Sequence, residues 1–200
     1  MKKTKIVVGM SGATGQIYGI RLIEELKALG AEIHLVMSEW AKKTILMETD
    51  YEPEEIESLA DYAYENYNVG AAIASGSFRH QGMVIAPCSI KTLSGIANSW
   101  NDNLLIRAAD VTLKEHRPLI LVVRETPLHR GHIELMLKAD MMGATILPPL
   151  PAFYNHPATI NDLVNHTVGR ILDHLGFEQK LAAEWQGKGV PLRKDNLRAI

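Results

Sequence analysis

Apolar residues fall along this chain in short β-branched runs, separated by stretches where they return every third or fourth position. The first run, Lys5 to Met10, holds Ile6, Val7 and Val8 and stops at a glycine-rich turn, which predicts a buried strand. From Ile17 to Leu29 the apolar positions Ile20, Ile23, Leu26 and Leu29 alternate with Arg21, Glu24, Glu25 and Lys27, and Gly30 follows. That spacing predicts an amphipathic helix with a glycine stop. Further strands are expected at Ile33–Met37, Met83–Ala86, Leu119–Val123 and Thr145–Leu147, with helices near Asn103–Lys114, Leu128–Met142 and Ile160–Leu175. Strands alternating with helices predict a parallel sheet covered on both faces, a three-layer α/β/α fold, because right-handed crossovers place helices on each side. Ligands in such folds sit beyond the carboxyl ends of the strands.

Between Glu48 and Glu65 stand eight acidic residues and no Lys or Arg, with tyrosines at 51, 62, 64 and 67. This segment is expected to be a solvated helix and loop. Residues 1–187 are expected to form one domain, and 188–200, with Lys188, Arg193, Lys194 and Arg198, a basic arm. A net charge of -2 supplies no field that would gather nucleic acid. The apolar run after the basic start is too short for a membrane span. The single cysteine, Cys88, forbids an intrachain disulfide, which fits a reducing cytoplasm. In its strand-to-helix position Cys88 reads as a packed residue.

Four segments carry candidate chemistry. Gly9-Met10-Ser11-Gly12-Ala13-Thr14-Gly15 joins the first strand to the first helix, where a close backbone approach and free amides suit an anion, and Ser11 and Thr14 add hydroxyls. The same glycines serve equally as a tight turn. The sequence lacks a Walker ending, and Ser38, rather than Glu39, stands at the tip of the second strand. In Ala86-Pro87-Cys88-Ser89-Ile90-Lys91-Thr92-Leu93, Pro87 is expected to break the strand and Ser89 to cap a helix. Arg124-Glu125-Thr126-Pro127 ends the Leu119–Val123 strand and offers an anion clamp beside a proton carrier, or a mere surface pair. Pro148-Pro149-Leu150-Pro151-Ala152-Phe153-Tyr154 imposes a rigid path; on residue type alone its aromatics read as core. Of the eight histidines only His129 and His132 lie one turn apart, and without a third ligand no metal site is expected.

Met10-Ser11-Gly12-Ala13-Thr14-Gly15, the 86–94 segment, Asp102-Asn103-Leu104-Leu105-Ile106-Arg107-Ala108-Ala109-Asp110-Val111, Arg124-Glu125-Thr126-Pro127-Leu128 and Pro151-Ala152-Phe153-Tyr154 together resemble the flavin prenyltransferase family. Its members have also been called subunits of phenylacrylic or phenolic acid decarboxylases. The resemblance runs in register from about residue 4 to residue 177 and implies a flavodoxin-like, Rossmann-like sheet in a homo-oligomer, typically a dodecamer, with FMN at a subunit interface. It implies that Gly12, Ala13, Thr14, Ser38, Ser89, Ile90, Lys91, Thr92 and Arg124 contact FMN. Tyr154 and Arg170 would then hold dimethylallyl phosphate, with Arg107 and Lys114 as further cations supplied across subunits. Glu48 and Glu125 match the family's acids. The implied reaction joins a dimethylallyl group to N5 and C6 of reduced FMN without a metal, and the prenylated FMN passes to a decarboxylase of hydroxyarylic acids. Trp100 is expected to help keep that pocket dry. A flavin-carrying structural subunit and a flavin-dependent cysteine decarboxylase are the competing readings; the latter's substrate clamp is not recognisable here.

Overall fold

The computed structural model describes residues 3–182; the expected basic arm, 188–200, lies outside them. Six parallel strands form one sheet in the order β3-β2-β1-β4-β5-β6. They are β1 (Lys5–Met10), β2 (Glu32–Met37), β3 (Tyr62–Glu65), β4 (Gly82–Cys88), β5 (Leu119–Val123) and β6 (Ala144–Ile146). Among the described residues six α-helices lie between the strands, α1 (Gln16–Ala28), α2 (Glu39–Glu48), α3 (Pro53–Leu59), α4 (Ile90–Ala97), α5 (Leu104–Lys114) and α6 (Arg130–Met141), and α7 (Ile160–His174) follows the last strand.

Alternation along each strand divides the core. Ile6, Val8 and Met10 of β1 point to one face, where α1, α2, α3 and α7 contribute Ile23, Ile45, Ile56 and Val168. Val7 points to the other, under Leu93 of α4, Leu105 of α5 and Ala139 of α6. Burial on both faces explains why these strands read as continuous apolar runs. The three-layer, flavodoxin-like expectation is therefore met. Among the described residues no helix is long and apolar enough to cross a membrane.

Two local expectations need correction. The acidic 48–65 segment does contain a helix, α3, but it ends in the edge strand β3, whose Tyr62–Glu65 pair with His34–Met37 of β2. An edge strand exposed on most of its positions lacks the apolar run that betrays a buried one. Pro87 does not break β4 either: the strand continues to Cys88, with a shift of register against β5 between Ile85 and Cys88, and the Ala86–Pro87 peptide is cis. Cys88 is fully buried, and burial pushes its thiol well above the usual range, as expected of a packed residue.

Candidate active site

Because β1, β2 and β3 step outward in one direction and β4, β5 and β6 in the other, the sheet has a switch point between β1 and β4. Loops leaving neighbouring carboxyl ends part there and leave a crevice. A cleft of about 490 Å³ opens at this place, lined from five strand ends: Gly12 after β1, Ser38, Glu39 and Trp40 after β2, Asn66 after β3, Ser89–Thr92 after β4 and Glu125 after β5. Asp102, Asn103, Leu105 and Ile106, at the start of α5, close the remaining side.

Ser11 holds the first two segments together. Its backbone N–H and its hydroxyl both donate to the Pro87 carbonyl, at 3.1 and 3.0 Å, and its Oγ accepts from the Ser89 N–H at 2.8 Å. With the residue almost wholly buried, Ser11 is a structural staple and not the ligand donor expected from its place in the turn. Gln16 braces the same turn, donating from Nε2 to the Ser11 and Ala13 carbonyls at 2.9 and 2.8 Å. The third segment is tied in by the Arg124 N–H, which donates to the Cys88 carbonyl at 3.0 Å. Arg124 does not line the cleft, but its guanidinium is near enough to draw down the Tyr18 phenol, which burial pushes up more strongly.

Ser38 and Ser89 cap α2 and α4, accepting from the Ala41 and Thr92 amides at 3.1 and 3.3 Å. Each hydroxyl keeps its proton for another acceptor; that of Ser89 is directed at Thr92 Oγ1 at 3.2 Å, so Thr92 in turn has a proton to offer the cleft. Thr14 is exposed and Ala13 half-buried, and neither lines the cleft. The start of α1 faces Glu48, whose Oε2 accepts from the Gly15 and Gln16 amides at 2.8 and 3.2 Å. A carboxylate therefore already sits on the positive end of that helix. Glu125 lines the cleft and accepts from the Thr126 amide at 3.0 Å.

The remaining expected residues lie outside this cleft. Arg107 pairs with Asp110 at 3.1 Å, and Lys114 pairs with Glu115 at the end of α5, about 12 Å along the helix from Ile106. Arg170 on α7 pairs with Asp173 at 2.9 Å. Tyr154 meets His166 edge-on at 5.8 Å between centroids; at 51% exposure, with Phe153 at 70%, these aromatics are surface residues and not core. Trp100, 70% exposed, lines a second depression of about 390 Å³ that adjoins the cleft and shares Lys91, Asp102 and Ile106 with it, so within one chain it shields nothing from water. The rings of His129 and His132 lie 3.5 Å apart, and among the described residues no group of three metal-ligating side chains forms.

Sequence reasoning missed Glu39, Trp40, Asn66 and Asp102. Glu39 and Trp40 directly follow the recognised Ser38, so their place was open to reading. Asn66 was hidden by the unrecognised β3. Its carbonyl and Oδ1 accept from the Leu104 and Leu105 amides at 2.7 and 3.0 Å and seat the start of α5 beside the cleft.

The family model described as Flavoprotein matches residues 1–172. The chain is 57% identical over 183 residues to the flavin prenyltransferase UbiX of Thauera aromatica, covering 92% of this chain and 94% of the relative. Superposition on the crystal structure of AnUbiX (PadA1) in complex with FMN and dimethylallyl pyrophosphate gives a TM-score of 0.92 at 46% identity, over 93% and 99% of the two chains. The dodecameric FMN-dependent Ubix-like decarboxylase from Escherichia coli O157:H7 superposes with a TM-score of 0.90 at 50% identity, over 92% and 100%.

Proposed function

Since the chain belongs to the flavin prenyltransferase family of flavoproteins, we propose that its cleft binds reduced FMN and transfers a dimethylallyl group to it from dimethylallyl phosphate, giving prenylated FMN. The observation that carries this reading is the convergence of Gly12, Ser38, Ser89–Thr92 and Glu125 on one cleft at the switch point, in a chain 57% identical to a flavin prenyltransferase. The residues present fit a flavin: the cleft is within the range of small-molecule sites, and its hydroxyls, backbone turn and one lysine suit a ribityl phosphate. Bound reduced FMN supplies the nucleophilic N5 and the C6 at which the new ring closes.

Charge then dictates what else the site needs. Among the described residues of one chain the cleft presents Glu39, Asp102 and Glu125 against Lys91, a poor wall for two phosphate groups. Breaking the allylic C–O bond leaves negative charge on the departing phosphate, so cations held against it lower the barrier. Arg107, Lys114, Arg170 and Tyr154 lie outside the cleft of their own chain; neighbouring copies in an oligomer deliver them to it, in line with the dodecameric relative. Arg124, within electrostatic reach of Tyr18, adds a cation close to the rim. On this reading Glu125, a carboxylate of the cleft wall, takes the proton that C6 releases, while Glu48 fixes the turn before α1. The product serves a decarboxylase that uses prenylated FMN.

Anaerobic incubation of the protein with reduced FMN and dimethylallyl phosphate, or in parallel the pyrophosphate, followed by mass spectrometry of the flavin, tests the proposal. A flavin heavier by one dimethylallyl unit is expected. Return of unchanged FMN from both donors would leave a flavin carrier.

A further inference from the structure

Trp40 is a large apolar side chain left 63% exposed at the wall of the cleft, and it is the one aromatic residue among the cleft's described lining. It is built into the turn opposite. A Cβ placed on Gly12 would lie 2.4 Å from Trp40 Cβ and 3.3 Å from its carbonyl carbon, so the turn reaches its position only because residue 12 has no side chain. The Lys43 ammonium lies over the indole at 4.7 Å from the centroid, and the Thr44 hydroxyl donates to the Trp40 carbonyl, so the first turn of α2 holds the ring. Ile90 and Ile106 line the same cleft from the other layer of the fold. The result is a slot with an aromatic wall on one side and aliphatic groups on the other.

Resting on the flavin reading above, we propose that Trp40 is the wall against which the flavin ring system packs, and that Lys43 holds this wall for binding and not for the transfer step. An indole already engaged by an ammonium is a poor partner for a second cation, which argues against a role in stabilising allylic positive charge. A flat, electron-rich ring, such as that of reduced flavin, gains both contact area and the attraction of the nearby ammonium. Trp40 thus contributes to affinity, with little effect on the rate once flavin is bound.

FMN is titrated into wild type, Trp40→Ala and Trp40→Phe, reading quenching of flavin emission, with circular dichroism and native mass spectrometry on the same samples. Single-turnover transfer is then measured at saturating reduced FMN. The expected result is FMN binding weakened by about tenfold or more in the alanine variant and by less than about threefold in phenylalanine, with transfer at saturation within about threefold of wild type. Unchanged FMN affinity in Trp40→Ala overturns the proposal. So does normal affinity with slowed transfer, which would place the ring at the allyl group, or loss of the oligomer alongside loss of binding, which would make Trp40 a contact between copies. Failure of the wild type itself to bind FMN sinks the flavin reading, a separate outcome from failure of the Trp40 assignment.

Discussion

Ser11→Ala removes one oxygen from the point where two site loops meet. The Ser89 N–H loses its acceptor, and the Pro87 carbonyl loses the hydroxyl donor of residue 11, a side chain only 1% exposed. An unsatisfied buried donor costs roughly 1–3 kcal/mol, whereas the lost hydroxyl leaves a void too small to add much. The expected loss is therefore about 2 kcal/mol, equivalent for a chain of this length to a drop of ~4–8 °C in melting temperature. Comparison at one fixed protein concentration is needed, because assembly adds its own mass-action term. FMN affinity should fall as well, since the Ser89–Thr92 loop is no longer pinned to the Gly12 turn. A melting temperature within about 1 °C of wild type, with unchanged FMN binding, would refute the staple and leave Ser11 as simple filler.

Gly12→Ala should drive the first turn of α2 outward against Trp40 and weaken FMN binding by about tenfold or more while the helical circular dichroism is retained, since the turn is exposed. Arg170→Ala and Tyr154→Phe are expected to keep FMN affinity but slow prenyl transfer at least about tenfold; unchanged single-turnover rates would remove both from the mechanism. Native Cys88 should resist thiol reagents at pH 8, and Cys88→Ala should retain transfer, because a fully buried thiol held far above its usual range is neither accessible nor ionised. His80 is buried, with Nδ1 on the Gly82 carbonyl at 3.0 Å, and burial lowers its pKa from 6.5 to about 4. Between those values the unfolded chain binds the extra proton. Stability is therefore complete above about pH 6.5 and falls as the pH drops toward 4, by about 3 kcal/mol in all. Burial lowers His34 in the same direction. His80→Gln should flatten the fall in melting temperature between pH 7 and 5, and an unaltered slope would contradict the assignment.

The sequence by itself determined the strands and helices whose side chains answer to burial. Four of the six strands, β1, β2, β4 and β5, are apolar runs because both of their faces are covered, and α1, α5, α6 and α7 carry the three-to-four spacing of a one-sided helix. It also marked Gly12, Ser38, Ser89–Thr92 and Glu125, since each directly follows a strand and a parallel sheet gathers its strand ends. Tertiary structure alone decided what those residues do to one another. Ser11 looked like a ligand hydroxyl until Pro87, 76 positions further along the chain, was folded against it and its hydrogen bonds were used up internally. β3 was hidden because an edge strand has few buried positions to mark it, and Asn66 and the seat of α5 were hidden with it. The same physics sets the cations apart. A charge can lie on any exposed helix, so nothing local in Arg107, Lys114 or Arg170 distinguishes a site cation from a surface one, and within one chain each pairs with a neighbouring carboxylate outside the cleft.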